Sequence, residues 1–211
     1  MPAQSPLKPA APSVFVIGGP NGAGKTTVSR DVLAKTMSVT EFVNADTIAA
    51  GLSGFDPAGA AIAAGRVMLL RLRELAEARQ TFAFETTLSS RTFAPWLSGL
   101  ADRGYEVHIL YVWLRSPDLA VRRVKARVRK GGHNIPETHI RRRYVRSAAN
   151  LFGLYLPVAE RSGGSWQIYD NSGLEGRLIA SGDRTPPMIL DERVFARLRE
   201  VADGEGATDP G

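Results

Sequence analysis

The sequence predicts an α/β fold, a mostly parallel sheet flanked by helices and built around a phosphate-binding loop. Two observations predict it. Short apolar runs alternate with stretches of helical periodicity along the chain, the pattern left by parallel strands joined through crossover helices. The first apolar run, Val14-Phe15-Val16-Ile17, leads straight into GGPNGAGKTT, Gly18 to Thr27, a glycine-rich turn that opens a helical stretch. That is the context in which successive backbone N–H groups and a helix N-terminus face a phosphate. With 211 residues, 44% of them hydrophobic, the chain is sized for one domain with a real core.

The elements follow in order. Val14 to Ile17 reads as the first strand and Lys25 to Lys35 as the first helix. Glu41 to Asn44 is a short strand. A long helix is expected from about Pro57, a good first-turn residue, to Arg79. Phe82 to Glu85 is the next strand, and Arg91 to Arg103 a helix stopped by Gly104. Val107 to Leu114 is a buried strand. Ser116 is placed to cap a helix that ends at Lys130, before Gly131-Gly132. A helix over Pro136 to Arg161, a hairpin at Trp166 to Asp170 and a last helix from Asp191 complete the chain. Residues 13–202 read as a single domain. The proline-rich 1–12 reads as a loose tail without the apolar core of a signal peptide, and 203–211 as a frayed end.

Composition narrows the chemistry. Cysteine is absent, which excludes disulfides, thiolate metal sites and a thiol nucleophile. Three histidines without H-E-x-x-H spacing argue against zinc. No apolar run is long enough for a membrane span, so the cytoplasm is the default location. A net charge of +6 favours anionic partners such as nucleotides, nucleotide-sugars or nucleic acid.

Gly19-x-x-x-x-Gly24-Lys25-Thr26 is a complete Walker A pattern. Gly19, Pro20, Asn21, Gly22, Ala23 and Gly24 form the loop, Lys25 reaches the β- and γ-phosphates, and the Thr26 hydroxyl holds Mg²⁺. An ABC-type ATPase would need an LSGGQ-like signature and a Walker B strand. Leu52-Ser53-Gly54-Phe55 breaks off too early, and Met188-Ile189-Leu190-Asp191-Glu192 lies near the C-terminus, where Asp191 reads more simply as a helix cap. No N-K-x-D guanine reader occurs, so ATP is the expected nucleotide.

A kinase also needs an acceptor hydroxyl and a carboxylate to take its proton. Asp46 follows the strand Glu41 to Asn44, on the sheet edge where open parallel sheets bind ligands; locally it would also serve as a helix N-cap. Glu85, with Thr86 and Thr87 after it, ends the next strand. It could hold an acceptor hydroxyl or a magnesium-bound water, while Ser89 or Ser90 would cap the helix from Arg91. Ten of the 27 Lys+Arg fall between Arg122 and Arg146, on two helices joined by Gly131-Gly132. Such a helical lid would bring arginines to the transferring phosphoryl group.

The joint set GPNGAGKTT (19–27), VNADTIA (43–49), FETTLS (84–89), ARVRKGGHNIP (126–136), IRRRYVRSAANL (140–151) and YDNS (169–172) resembles the zeta toxin family of P-loop kinases, in that family's order. The resemblance implies a nucleotide-kinase-like core. It also implies ATP-dependent transfer to the 3′-hydroxyl of the amino sugar in UDP-N-acetylglucosamine or a related nucleotide-sugar. Carried over by motif, Lys25, Thr26 and Thr27 bind ATP and Mg²⁺, and Asp46 is the general base. Glu85 and Thr87 hold the acceptor, and Arg127 is the lid arginine. The second lid charge falls to His133, Arg142 or Arg143, and Arg91 reaches toward the acceptor's diphosphate. A separate antitoxin protein is the implied partner. The alternative is a nucleic-acid-directed P-loop kinase or ATPase. The basic segment carries Tyr144 alone where single-strand platforms need several aromatics, so nucleic acid is not the expected partner.

Overall fold

The computed structural model describes residues 11–28, 39–53, 59–132, 134–183 and 186–206. Along the chain run β1 (Ser13–Gly18), β2 (Glu41–Val43), α1 (Ala45–Leu52), α2 (Ala61–Glu77), β3 (Phe82–Glu85) and α3 (Phe93–Asp102). After them come β4 (Glu106–Trp113), α4 (Pro117–Val128), α5 (Glu137–Asn150), a π turn at Leu151–Tyr155, and α6 (Leu156–Arg161). The chain ends in β5 (Trp166–Asp170), β6 (Arg177–Ser181), β7 (Met188–Ile189) and α7 (Glu192–Gly206). The phosphate loop leads into helix over 25–28; the rest of the expected first helix, and Pro57, lie outside the described residues.

The strands form one sheet in the order β2-β3-β1-β4-β5-β6-β7. The pairs from β2 to β5 are parallel, and β6 and β7 join antiparallel. The chain passes from β1 to the left-hand strands, then crosses to β4 on the right. The C-terminal end of β1 is therefore the switch point where such sheets hold ligands. β4 is central and almost wholly buried, as its unbroken apolar run requires. Helix α2 packs one stripe, Ala64, Met68, Leu72, Leu75 and Ala76, spaced for a single helical face.

Several boundaries depart from expectation for identifiable reasons. The cap before Thr47 is Asn44, not Asp46: its Oδ1 accepts from the Asp46 and Thr47 N–H groups at 2.8 and 3.2 Å. Neither Ser89 nor Ser90 caps the helix after β3. It starts at Phe93 behind Thr92, which makes no side-chain cap bond. Ser116 caps α4 as expected, accepting from the Leu119 N–H at 3.2 Å. The single helix expected over 136–161 is broken by a π turn, closed by the Leu156 N–H on the Leu151 carbonyl. Pro157 explains the break, since it has no N–H to donate and its ring crowds the preceding turn. Trp166–Asp170 pairs antiparallel with β6 but also extends the parallel sheet beside β4. Asp191 caps α7, accepting from the Val194 N–H at 3.0 Å, and α7 runs on to Gly206.

Candidate active site

The phosphate loop leaves β1 at the switch point, and its glycines are dictated by close neighbours. Gly19 has φ +142°, and a Cβ there would lie 2.2 Å from the Val112 carbonyl oxygen. Gly24 has φ +81°, and its Cβ would meet Asn171 Nδ2 at 2.5 Å. Only glycine fits either position. The Ala23 N–H turns back on the Pro20 carbonyl at 3.2 Å, and the Val28 N–H reaches Gly24 at 3.1 Å as the helix begins. Asn171 fastens the loop from outside, with Nδ2 donating to the Ala23 carbonyl at 2.7 Å.

Lys25 is only 8% exposed. Its ammonium donates to the Pro20 carbonyl at 3.2 Å and lies 3.7 Å from Glu85 Oε1. Burial pulls its pKa below the ordinary lysine value, against the opposing pull of Glu85 and Asp46, while Arg127 adds to the lowering. A phosphate in the loop would place further negative charge beside this desolvated ammonium, so the donor set fits a nucleotide phosphate.

Glu85 is turned toward the loop. The Thr26 hydroxyl donates to its Oε2 at 2.8 Å and Asn44 Nδ2 donates to the same oxygen at 3.0 Å. Among the described residues no cluster of three or more histidine, aspartate or glutamate side chains could hold a metal alone. Thr26 and Glu85 are hard oxygen donors beside the loop. They suit a cation such as Mg²⁺ that takes its other ligands from phosphate and water.

Asp46 stands in the first turn of α1 with its side chain 78% exposed, its Oδ2 3.8 Å from Arg127 Nη1. Arg143 Nη1 reaches Asn21 Oδ1 at 3.4 Å. These groups line a cleft of about 360 Å³ that also takes in Thr87, His139 and an apolar wall of Met68 and Phe93. The structure therefore brings together the loop, Asp46, Glu85, Thr87, Arg127 and Arg143. Arg91 and Arg142 open instead on a neighbouring cavity, so of the three candidates for a second lid charge Arg143 is the one at the cleft beside Arg127. His133 lies outside the described residues, and Thr27 is exposed on the helix. In the sequence Asn44 and Asn171 carry no assigned role, although both lie inside the motif segments VNADTIA and YDNS, nor does His139, which lies outside every such segment. Asn44 also has a local signal, an asparagine directly before a helical run.

The family model described as AAA domain (AAA_33) matches residues 14–147, from β1 through most of α5. The chain belongs to the AAA domain family. This AAA domain protein is 29% identical over 126 residues to an uncharacterized protein of Haemophilus influenzae, covering 60% of this chain and 88% of that one. Among solved structures it matches the AvrRxo1-ORF1:-ORF2 complex solved with ATP at a TM-score of 0.70 and 14% identity, over 96% of this chain and 67% of that chain. It also matches the PezAT chromosomal toxin–antitoxin system of Streptococcus pneumoniae at a TM-score of 0.64 and 19% identity, over 93% of this chain and 80% of that chain. At such identities the likeness is one of fold. The fold of this AAA domain chain is P-loop kinase-like, a mostly parallel sheet with flanking helices.

Proposed function

We propose that the chain is an ATP-dependent phosphotransferase of the zeta-toxin type, with residues 13–202 as its kinase domain. It moves the γ-phosphoryl group of ATP to a hydroxyl of a small metabolite. The leading acceptor is the 3′-hydroxyl of the amino sugar in UDP-N-acetylglucosamine or a related nucleotide-sugar. One observation carries the reading: buried Lys25, the exposed Asp46 carboxylate, Arg127 and Arg143 converge on one cleft at the switch point.

Residues 19–27 cradle the ATP phosphates, with Lys25 and Arg143 supplying positive charge. Asp46 takes the proton of the acceptor hydroxyl as its oxygen bonds to phosphorus and the bond to ADP breaks. Arg127, beside Asp46, offsets charge on the group in transit. Thr87 orients the acceptor from the rim. Glu85 fixes the Thr26 hydroxyl, and these two side chains would hold a Mg²⁺ that offsets phosphate charge. The likeness to a complex solved with ATP and to a toxin–antitoxin system supports ATP as substrate and a separate neutralising protein as partner. Among the described residues no helix is long and apolar enough to cross a membrane, in keeping with a cytoplasmic site of action.

The test is a transfer assay with Mg-ATP and UDP-N-acetylglucosamine, read by mass spectrometry. Wild type is expected to give the phosphorylated sugar nucleotide. Asp46→Ala should lose about 10²–10⁴-fold in rate while binding a nonhydrolysable ATP analogue as before. An unchanged rate in the variant removes Asp46 as the base. No product with any nucleotide-sugar removes the acceptor class.

A further inference from the structure

The apolar wall of the cleft has no task in the transfer step. Ala61 and Met68 of α2, Phe93 at the start of α3, and Ile135 with Pro136 ahead of α5 line the same cavity as Asp46. Met68 is 5% exposed and belongs to the core stripe of α2. Phe93 is only partly buried. Phe84 and Trp96 back its ring, with centroids 5.0 and 6.2 Å away and planes at 45° and 62°. Both meet it obliquely, so among the described residues no ring lies flat on it. Apolar surface left open inside a cleft is surface that a ligand can cover.

The remainder of the lining is polar. Asp46, Arg127, Asn134, His139 and Arg143 all open on the cavity. A ligand that satisfies both parts needs hydrogen-bonding groups along its edge and an apolar face. A saturated sugar ring has that character: hydroxyls project around its rim, and its faces present C–H groups. An open polyol chain would leave the Phe93 ring uncovered. A nucleobase has the flat face but no hydroxyl for Asp46, and in a nucleotide-sugar the ribose and both phosphates separate it from the sugar. The ring that meets Phe93 is therefore the one whose hydroxyl reaches Asp46.

We infer that Phe93 is a specificity-determining residue, the platform for the C–H face of the sugar ring that carries the accepting hydroxyl. Met68 extends the platform, and the polar lining reads the ring's edge. Phe84 and Trp96 fix the Phe93 ring from the side, so the sugar is held at one angle and one hydroxyl is offered to Asp46. This role for Phe93 rests on the kinase reading and adds to it the side chain that chooses the acceptor ring.

The probes are UDP-N-acetylglucosamine and UDP, each titrated calorimetrically into the full chain already saturated with a nonhydrolysable ATP analogue. Phe93→Ala should weaken UDP-N-acetylglucosamine about tenfold or more, and UDP by less than about twofold. Phe93→Tyr keeps the ring and should bind both within about threefold of wild type. Phe93→Leu keeps apolar volume against Phe84 and Trp96 but not the flat face, and should lose about threefold for the sugar nucleotide. It carries the test if the melting temperature shows Phe93→Ala to be unfolded. Sugar-nucleotide binding equal to wild type in the folded variants overturns the role of Phe93. A loss of UDP binding as large as that of UDP-N-acetylglucosamine overturns it too, because the base would then be the ring on Phe93. A wild type that holds the analogue but binds no nucleotide-sugar at millimolar concentration removes the acceptor class and the platform with it, a result distinct from normal binding that ignores Phe93.

Discussion

Asn44 does two jobs that substitutions can separate. Its Oδ1 caps α1 through the Asp46 and Thr47 N–H groups, and its Nδ2 donates to Glu85 at 3.0 Å. The side chain is 8% exposed, so solvent replaces neither contact readily. Asn44→Ser keeps a capping oxygen but cannot reach Glu85. The lost bond to a charged group predicts a cost of about 1.5–3 kcal/mol. Asn44→Ala loses the cap as well, which adds about 1 kcal/mol. Asn44→Asp keeps the cap but sets a second carboxylate against Glu85. At ~3 Å and an effective dielectric constant of ~20, that repulsion is of order 5 kcal/mol as an upper figure. The expected order of stability is wild type, Ser, Ala, Asp. Urea unfolding at constant slope reads it through the midpoints. A serine variant as stable as wild type would refute the contribution of the Glu85 bond. An alanine variant no worse than serine would refute the cap.

The site makes two further predictions. Burial lowers the pKa of Lys25 from its ordinary 10.5, so the unfolded chain holds that proton more tightly than the folded one. Stability should rise with pH between the folded-state value and 10.5, and Lys25→Met should flatten the rise. An ATP analogue bound in that pH range should take up protons, seen as a dependence of the binding heat on buffer ionisation; a heat independent of buffer would sink the assignment. Gly24→Ala forces φ +81° on a residue with a Cβ and drives it to 2.5 Å from Asn171 Nδ2. It should cost about 1–3 kcal/mol and abolish analogue binding. Adding Asn171→Ala should recover only part of the stability, because the backbone strain remains.

Much of this fold was legible because its signals are local. The strand at Phe82–Glu85 was placed to the residue, since an apolar run between polar turns has one way to be buried. The phosphate loop declared itself by spacing, and the caps at Ser116 and Asp191 by residue type. What escaped depends on contacts distant in sequence. Asn171 closes on the loop across 148 positions, and Ser147 reaches the Thr87 carbonyl across 60; no window of neighbours contains either pair. The cap at Asn44 was misassigned to Asp46 two residues later, because both types cap helices and local sequence does not say which backbone turns first. Arg143 is expected as a candidate lid charge and Arg91 as a contact to the acceptor's diphosphate, and the sequence places neither relative to the other. Only the helix face of α5 and the path of the loop show that they line two cavities.

The two arginines at the cleft, Arg127 and Arg143, are held in different ways, and that difference is testable. Arg143 sits on one face of α5 with Ser147 and Asn150, at spacings of four and seven residues, and those two side chains anchor the helix to the loop after β3. Its position is therefore tied to the core. Arg127 sits at the last turn of α4 and is backed by Gly132, whose N–H donates to the Arg127 carbonyl at 3.1 Å. A Cβ on Gly132 would come within 2.7 Å of Arg127 Cγ and 3.0 Å of that carbonyl oxygen. Gly132→Ala must displace the arginine stem, and with it the guanidinium now 3.8 Å from Asp46. If Arg127 acts on the group in transit, the transfer rate should fall about tenfold or more while the affinity for an ATP analogue stays put, the signature of an interaction made only in the transition state. A loss confined to analogue binding would instead make Arg127 a ground-state contact to the nucleotide. An unchanged rate would leave Arg143, the arginine tied to the core, as the charge that matters.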